Sequence, residues 1–268
     1  MKNSKFLLSL LVFASLSFNA CKKDQVDFTE LSATSEDIAI TSDLSQDAED
    51  ESFNQIENRG GDPAGSCPTV TWENPKGVYP NKVTIDFGTS CTSVNGRVRS
   101  GMIVVTMTDT ITKAGAVRTA TLVNYKVDGI AIEGSKTLTN LGIDGDGYPY
   151  FSRVTNNCKI TFLDGNFTTW QANQTIRFKA GFGTKTPLDD IVIISGSGSG
   201  INRKGNAFGY NISTPLVKNK SCKWITQGVI ETTAGAKTIS IDFGNGDCDR
   251  LAKLTLPSGI VKDILLRP

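Results

Sequence analysis

A mainly β fold, laid out as an antiparallel meander or sandwich-like sheet of many short strands, is what this sequence predicts. Three observations carry that expectation. From residue 66 onward the apolar segments are short, rich in Val, Ile, Thr and aromatic residues, and alternate with polar positions. Gly, Asn or Asp bounds nearly every one of them, at a spacing of roughly ten to fifteen residues that suits hairpins better than crossover connections. No convincing helical periodicity occurs past residue 65.

Residues 1–20 read as an export signal. Lys2 and Lys5 precede an apolar run from Phe6 to Phe18, and small residues follow up to Ala20. The run is too short to cross a hydrocarbon core of about 30 Å as a helix. Cleavage directly before Cys21 is the arrangement of a bacterial lipoprotein, in which the thiol is acylated. The expected partner is then outer-membrane lipid, held through Cys21. Phe18 stands where such signals usually carry Leu, and cleavage at another small residue would leave Cys21 an ordinary thiol.

Residues 21–65 read as an acidic tether. Between residues 22 and 65, twelve carboxylates stand against Lys22, Lys23 and Arg59, a balance of −9, which favours an extended spacer. A short amphipathic helix on Leu44, Ala48, Phe53 and Ile56, stopped at Gly60 and Gly61, is the other reading.

Residues 66–268 are expected to form one β domain, large enough to bury an interior. It keeps 23 basic and 15 acidic residues, a balance of +8. Such a cationic domain suits phosphate headgroups or acidic glycans, or plain solubility; with no basic run interleaved with aromatics, nucleic acid is not an expected partner. Segments 103–108, 117–125, 127–132, 159–163, 175–179, 191–194 and 237–243 read as strands. Asp128-Gly129 and Asp164-Gly165-Asn166 carry turn chemistry.

The two ends of this domain repeat one pattern. Cys67 and Trp72 are followed by Ile85-Asp86-Phe87-Gly88 and Cys91; Cys222 and Trp224 are followed by Ile241-Asp242-Phe243-Gly244 and Cys248. An antiparallel hairpin in each copy would bring its own cysteines together, predicting bonds 67 to 91 and 222 to 248, although four cysteines allow three pairings. Cys158 is left over as a buried or incidental thiol.

The chain contains no histidine, which removes Ser-His-Asp triads, Cys-His dyads and His-ligated zinc. Neither a catalytic group nor a cofactor is expected. Asp144 and Asp146 resemble part of a calcium loop but lack a third alternating ligand and a closing Glu, so a hairpin turn is the plainer reading. Asp189 and Asp190 are adjacent, hence poor partners for acid-base work. Asp86-Phe87-Gly88 and Asp242-Phe243-Gly244 read as turns at strand ends. The Ser/Gly run 195–200 leading to Arg203 and Lys204 reads as a long hairpin loop with a capacity for binding. Trp170, Tyr148 and Tyr150 would stack on sugars if exposed, whereas Trp72 and Trp224, beside clamp cysteines, suit a core. Asp109-Thr110-Ile111 matches a short O-glycosylation acceptor.

The acidic tether, Cys67-Pro-Thr-Val70, Ile85-Asp-Phe-Gly88, Gly96-Arg-Val-Arg-Ser-Gly101, Asn124-Tyr-Lys-Val-Asp-Gly129, Pro215-Leu-Val-Lys218, Ser221-Cys-Lys-Trp224 and Leu265-Leu-Arg267 together resemble a family of uncharacterised Bacteroidota lipoproteins. The resemblance implies envelope residence and a β core, and carries over no activity. The expectation is a lipid-anchored outer-membrane protein with a non-catalytic binding or structural role, facing either side of that membrane. A glycan-binding surface module and a carboxylate-dependent hydrolase are the alternatives, and glycan or another envelope protein the further partners.

Overall fold

Alternation of apolar and polar residues builds one sheet. The computed structural model describes residues 23–57, 67–93, 96–222, 224–234 and 237–266. Its strands are β1 (Thr69–Trp72), β2 (Asn81–Asp86), β3 (Cys91–Thr92), β4 (Val98–Met107), β5 (Val117–Val127), β6 (Ile130–Ile143), β7 (Pro149–Thr161), β8 (Phe167–Ala180), β9 (Ile191–Ile201), β10 (Ala207–Asn219), β11 (Gln227–Ala234), β12 (Lys237–Asn245), β13 (Leu251–Thr255) and β14 (Val261–Leu265). They form a single 14-stranded antiparallel meander in chain order, with β3 clipped onto β4 off the main path. The fold is the mainly β meander the sequence predicts, as one continuous sheet. Its strands run longer than expected, to 14 residues in β6 and β8.

The turns follow local chemistry. Asp128 and Gly129 hold φ of 52° and 82°, so they close β5 onto β6 as a two-residue turn, splitting the segment predicted over 127–132. The Ser/Gly run is strand β9 rather than a loop, with Gly198 and Gly200 facing β10. A Cβ at Gly200 would overlap the Thr169 carbonyl and the ring of Phe208, and one at Gly198 the ring of Tyr210. The small residues of β9 therefore make room for two aromatic side chains.

Of the segment 21–65 read as a tether, Lys23–Glu57 is helix α1, 35 residues long, and the predicted stop at Gly60 and Gly61 lies outside the described residues. Ile38, Ile40, Leu44, Ala48 and Ile56 join one core cluster with Val83, Ile103, Tyr125, Ile160, Trp170 and Phe208. Among the described side chains between Thr34 and Glu57, Ser42 alone is exposed, so this part is neither a solvated spacer nor a helix with one wet face. The helix meets residues from β4 through the end of β10, seven strands that would span roughly 30 Å if flat, while a helix with its side chains is about 10 Å wide. The sheet is consequently curled around the helix. A second cluster, centred on Phe151, Phe178, Ile194, Ile230 and Ile241, fills the rest of the concave side.

The terminal repeat is a structural one. The sulfurs of Cys67 and Cys91, and those of Cys222 and Cys248, lie at bonding distance, 2.13 Å and 2.14 Å. Cys67 precedes β1 at the sheet end holding the β5–β6 turn, whereas Cys222 follows β10 at the opposite end. Asp86 and Asp242 each accept from the backbone N–H two residues on, at 2.7 Å and 2.9 Å. The first triplet leads into a turn after β2, whereas Asp242-Phe243-Gly244, also read as a turn, lies inside β12, where the register against β11 shifts.

Candidate functional site

The most concentrated chemistry in the molecule is the charged boundary between α1 and the sheet. Burial leaves the described carboxylates of the helix, from Asp37 to Glu57, little or partial access to water, so a cation or a donor compensates each. Asp37, fully buried, accepts from the Arg203 backbone N–H at 2.8 Å and lies 2.5 Å from its guanidinium. Asp47 accepts from Arg99 at 2.8 and 2.9 Å and has Arg97 at 3.2 Å. Glu49 takes Lys136 at 2.7 Å and Arg153 at 3.0 Å, Asp50 takes Lys220 at 2.5 Å, and Glu57 pairs with Arg118, which also lies over the ring of Phe53.

Burial pushes the Glu49 carboxyl up, but Lys136 and Arg153, with Lys220 beyond them, outweigh it and hold the group at about 2. Burial likewise lowers Lys136, which Glu49 partly restores. Gln46 and Gln174 complete the Arg153 shell at 2.8 Å each. Two cavities of about 30 and 20 Å³ remain along this boundary, one beside Phe53, Arg153 and Lys220, the other beside Lys136, Cys158 and Trp170. Each holds one or two waters at most.

Apart from Arg203, these cations went unmarked in the sequence reading. Part of their signal was the charge asymmetry, −9 over residues 22–65 against +8 from residue 66 on: Asp37, Asp47, Glu49, Asp50 and Glu57 pair with these cations across one internal interface.

The individual candidates scatter. Cys21 lies outside the described residues. Trp170 is 7 % exposed and belongs to the core under α1, so it offers no stacking face to a sugar. Tyr148 and Tyr150 are half-buried on the opposite rim. Asp144 accepts from the backbone N–H groups of Asp146 and Tyr148, at 2.9 and 3.0 Å, which pulls its pKa down, and Arg177 bridges Asp144 and Asp146 at 2.5 and 3.0 Å. That turn is closed by an arginine that pairs with both carboxylates. Arg203 is engaged by Asp37 and by the ring of Phe162, and Lys204 follows it in the β9–β10 turn. Asp189 accepts from the Thr184 hydroxyl at 2.9 Å, in a short turn before β9.

Trp72 is half-buried against the core under Lys76. Cys158 is free and buried, and burial pushes its thiol up to about 11, far from the thiolate a nucleophile needs. Thr110 of the glycosylation-like triplet lies in the β4–β5 loop, hydroxyl to hydroxyl with Thr112 at 3.2 Å. Comparison with protein-family models, with curated proteins and with solved structures finds no match to this chain.

Proposed function

We propose that this chain is a lipid-anchored envelope protein, held at the outer membrane through Cys21, whose folded part has a non-catalytic binding or structural role. The observation that carries this reading is the pairing of Cys67 with Cys91 and Cys222 with Cys248 across strand ends. Such bonds persist in oxidising compartments, which agrees with an export signal ending at a cysteine. The non-catalytic part rests on the boundary between helix and sheet, where carboxylates and cations neutralise one another in cavities of water size.

The test is metabolic labelling with a clickable palmitate analogue in cells expressing the native chain or Cys21→Ser. Label on the native chain and none on the variant is the expected result; equal label, or none on either, overturns the anchor. Protease treatment of intact and permeabilised cells then assigns the face. Degradation in intact cells directs the search for partners to glycans and neighbouring cells, and protection directs it to envelope assemblies.

A further inference from the structure

The sheet end where α1 enters carries a surface that neither the core nor the helix uses. Thr34 receives the Asn202 side-chain amide at 2.8 Å and Asp37 holds Arg203, so the helix enters beside the β9–β10 turn. At this same end Leu163 is 78 % exposed, Phe167 50 % and Ile201 46 %. They are adjacent. Phe167 opposes Thr161 across β7 and β8, Ile201 opposes Thr169, and a Cβ on Gly129 would touch Leu163, so the patch extends to the β5–β6 turn. Side chains alternate along a strand, and Trp170 and Thr168 are the buried ones; Phe167 and Ile201 therefore lie on the convex face.

Cations flank these apolar groups. Lys159 lies 5.0 Å from the centre of the Phe167 ring, and exposed Lys126 opposes Ala131, which opposes Thr161 in the row that ends at Phe167. Glu133, across from Lys159, and the exposed Asp128 and Asp164 in the β5–β6 and β7–β8 turns are the acidic neighbours.

We infer that this rim, Leu163, Phe167 and Ile201 with Lys126 and Lys159, docks on the phosphate-bearing lipid surface to which Cys21 is attached. The inference rests on the proposed anchoring. Its second support is where the chain leads: α1 begins at Lys23, two positions after Cys21, and the eleven steps from Lys23 to Thr34 correspond to about 17 Å at helical rise. An anchored chain thus carries this end of the sheet, not the Cys222–Cys248 end, within reach of the bilayer. Aliphatic and aromatic side chains enter the headgroup boundary there while lysines stay at phosphate level. Anchor and rim then fix the orientation of the domain, which one flexible attachment would leave free.

The experiment uses the full chain purified with its acyl groups and reconstituted in phosphatidylethanolamine/phosphatidylglycerol vesicles, with Phe167→Trp as reporter and the native chain as background. The added emission is expected to shift to the blue and to fall about twofold or more when the acyl chains are brominated, as for a ring at the headgroup boundary. Leu163→Asp with Ile201→Asp, both exposed positions, should abolish that quenching and leave the far-UV circular dichroism unchanged. Mass spectrometry of the Cys21 peptide separates the two ideas. An acylated chain whose reporter stays as open to acrylamide in vesicles as the Cys21→Ser chain is in buffer overturns the docking alone; an unacylated Cys21 overturns the anchoring and the docking with it.

Discussion

Glu49 accepts a hydrogen bond from Lys136 at 2.7 Å across the helix–sheet boundary, although 87 positions separate them. Arg153 approaches the same carboxylate oxygen at 3.0 Å, so one acidic side chain of α1 closes two cations of neighbouring strands. These three groups are coupled because each is largely withdrawn from water, with side-chain exposures of 16 % for Glu49, 15 % for Lys136 and 7 % for Arg153.

Glu49→Gln should therefore destabilise the fold by about 3–5 kcal/mol, the range for breaking a buried pair and leaving its partners charged. Combining it with Lys136→Met should cost less than the sum of the two single changes, since the second removes a cation the first has orphaned. Urea midpoints of the four proteins measure both effects; strict additivity would refute the coupling.

Acid should loosen α1. Glu49 is held at about 2 in the fold against 4.5 for the free group, a depressed carboxyl, so its stabilisation is fully present above the unfolded value and is lost as pH falls through the folded one. Stability should be level from neutral pH to about 5 and then drop between about 4.5 and 2, by roughly 3 kcal/mol from this group. Glu49→Gln should flatten that limb. Chemical unfolding at a series of pH values checks it, and an unchanged limb in the variant would assign the acid response elsewhere.

Each disulfide closes a loop of similar length, 24 and 26 residues apart in sequence. Replacing Cys222 and Cys248 by Ser should cost roughly 3.5 kcal/mol in the chain-entropy model, and the same change at Cys67 and Cys91 about as much. Peptide mapping without reductant should recover both pairs, and crossed pairs would contradict the fold. Cys158 should resist Ellman's reagent until denaturant is added, because its thiol is 3 % exposed and raised to about 11.

Gly200→Ala should destabilise by about 1–3 kcal/mol, the range for overpacking, because the added methyl meets the Thr169 carbonyl, which is backbone and cannot rotate away. Gly205→Ala, in the neighbouring turn, meets no atom but sits at φ +84°, so its cost is backbone strain alone. Adding Phe208→Leu should leave most of the Gly200→Ala loss in place; full recovery would point to the ring as the sole obstacle.

The sequence by itself determined what local physics decides. Alternation marked the strands, Asp128-Gly129 closed its hairpin through positive φ, and the repeated cysteine spacing gave both pairings, because a hairpin returns its own ends to one place. Tertiary structure decided α1. Thr34, Asp37, Thr41, Ser45 and Ser52 are buried alongside Ile38, Leu44 and Ala48, so the helix has no apolar stripe to read, and its length exceeds what Leu44, Ala48, Phe53 and Ile56 suggest. Its partners lie 52 positions away for Arg99 and 170 for Lys220, brought together only when the sheet curls. The charge balance of each segment was legible, but whether −9 and +8 face water or each other depends on which surfaces the curl encloses. That depends on coupled burial along fourteen strands, which no local pattern encodes.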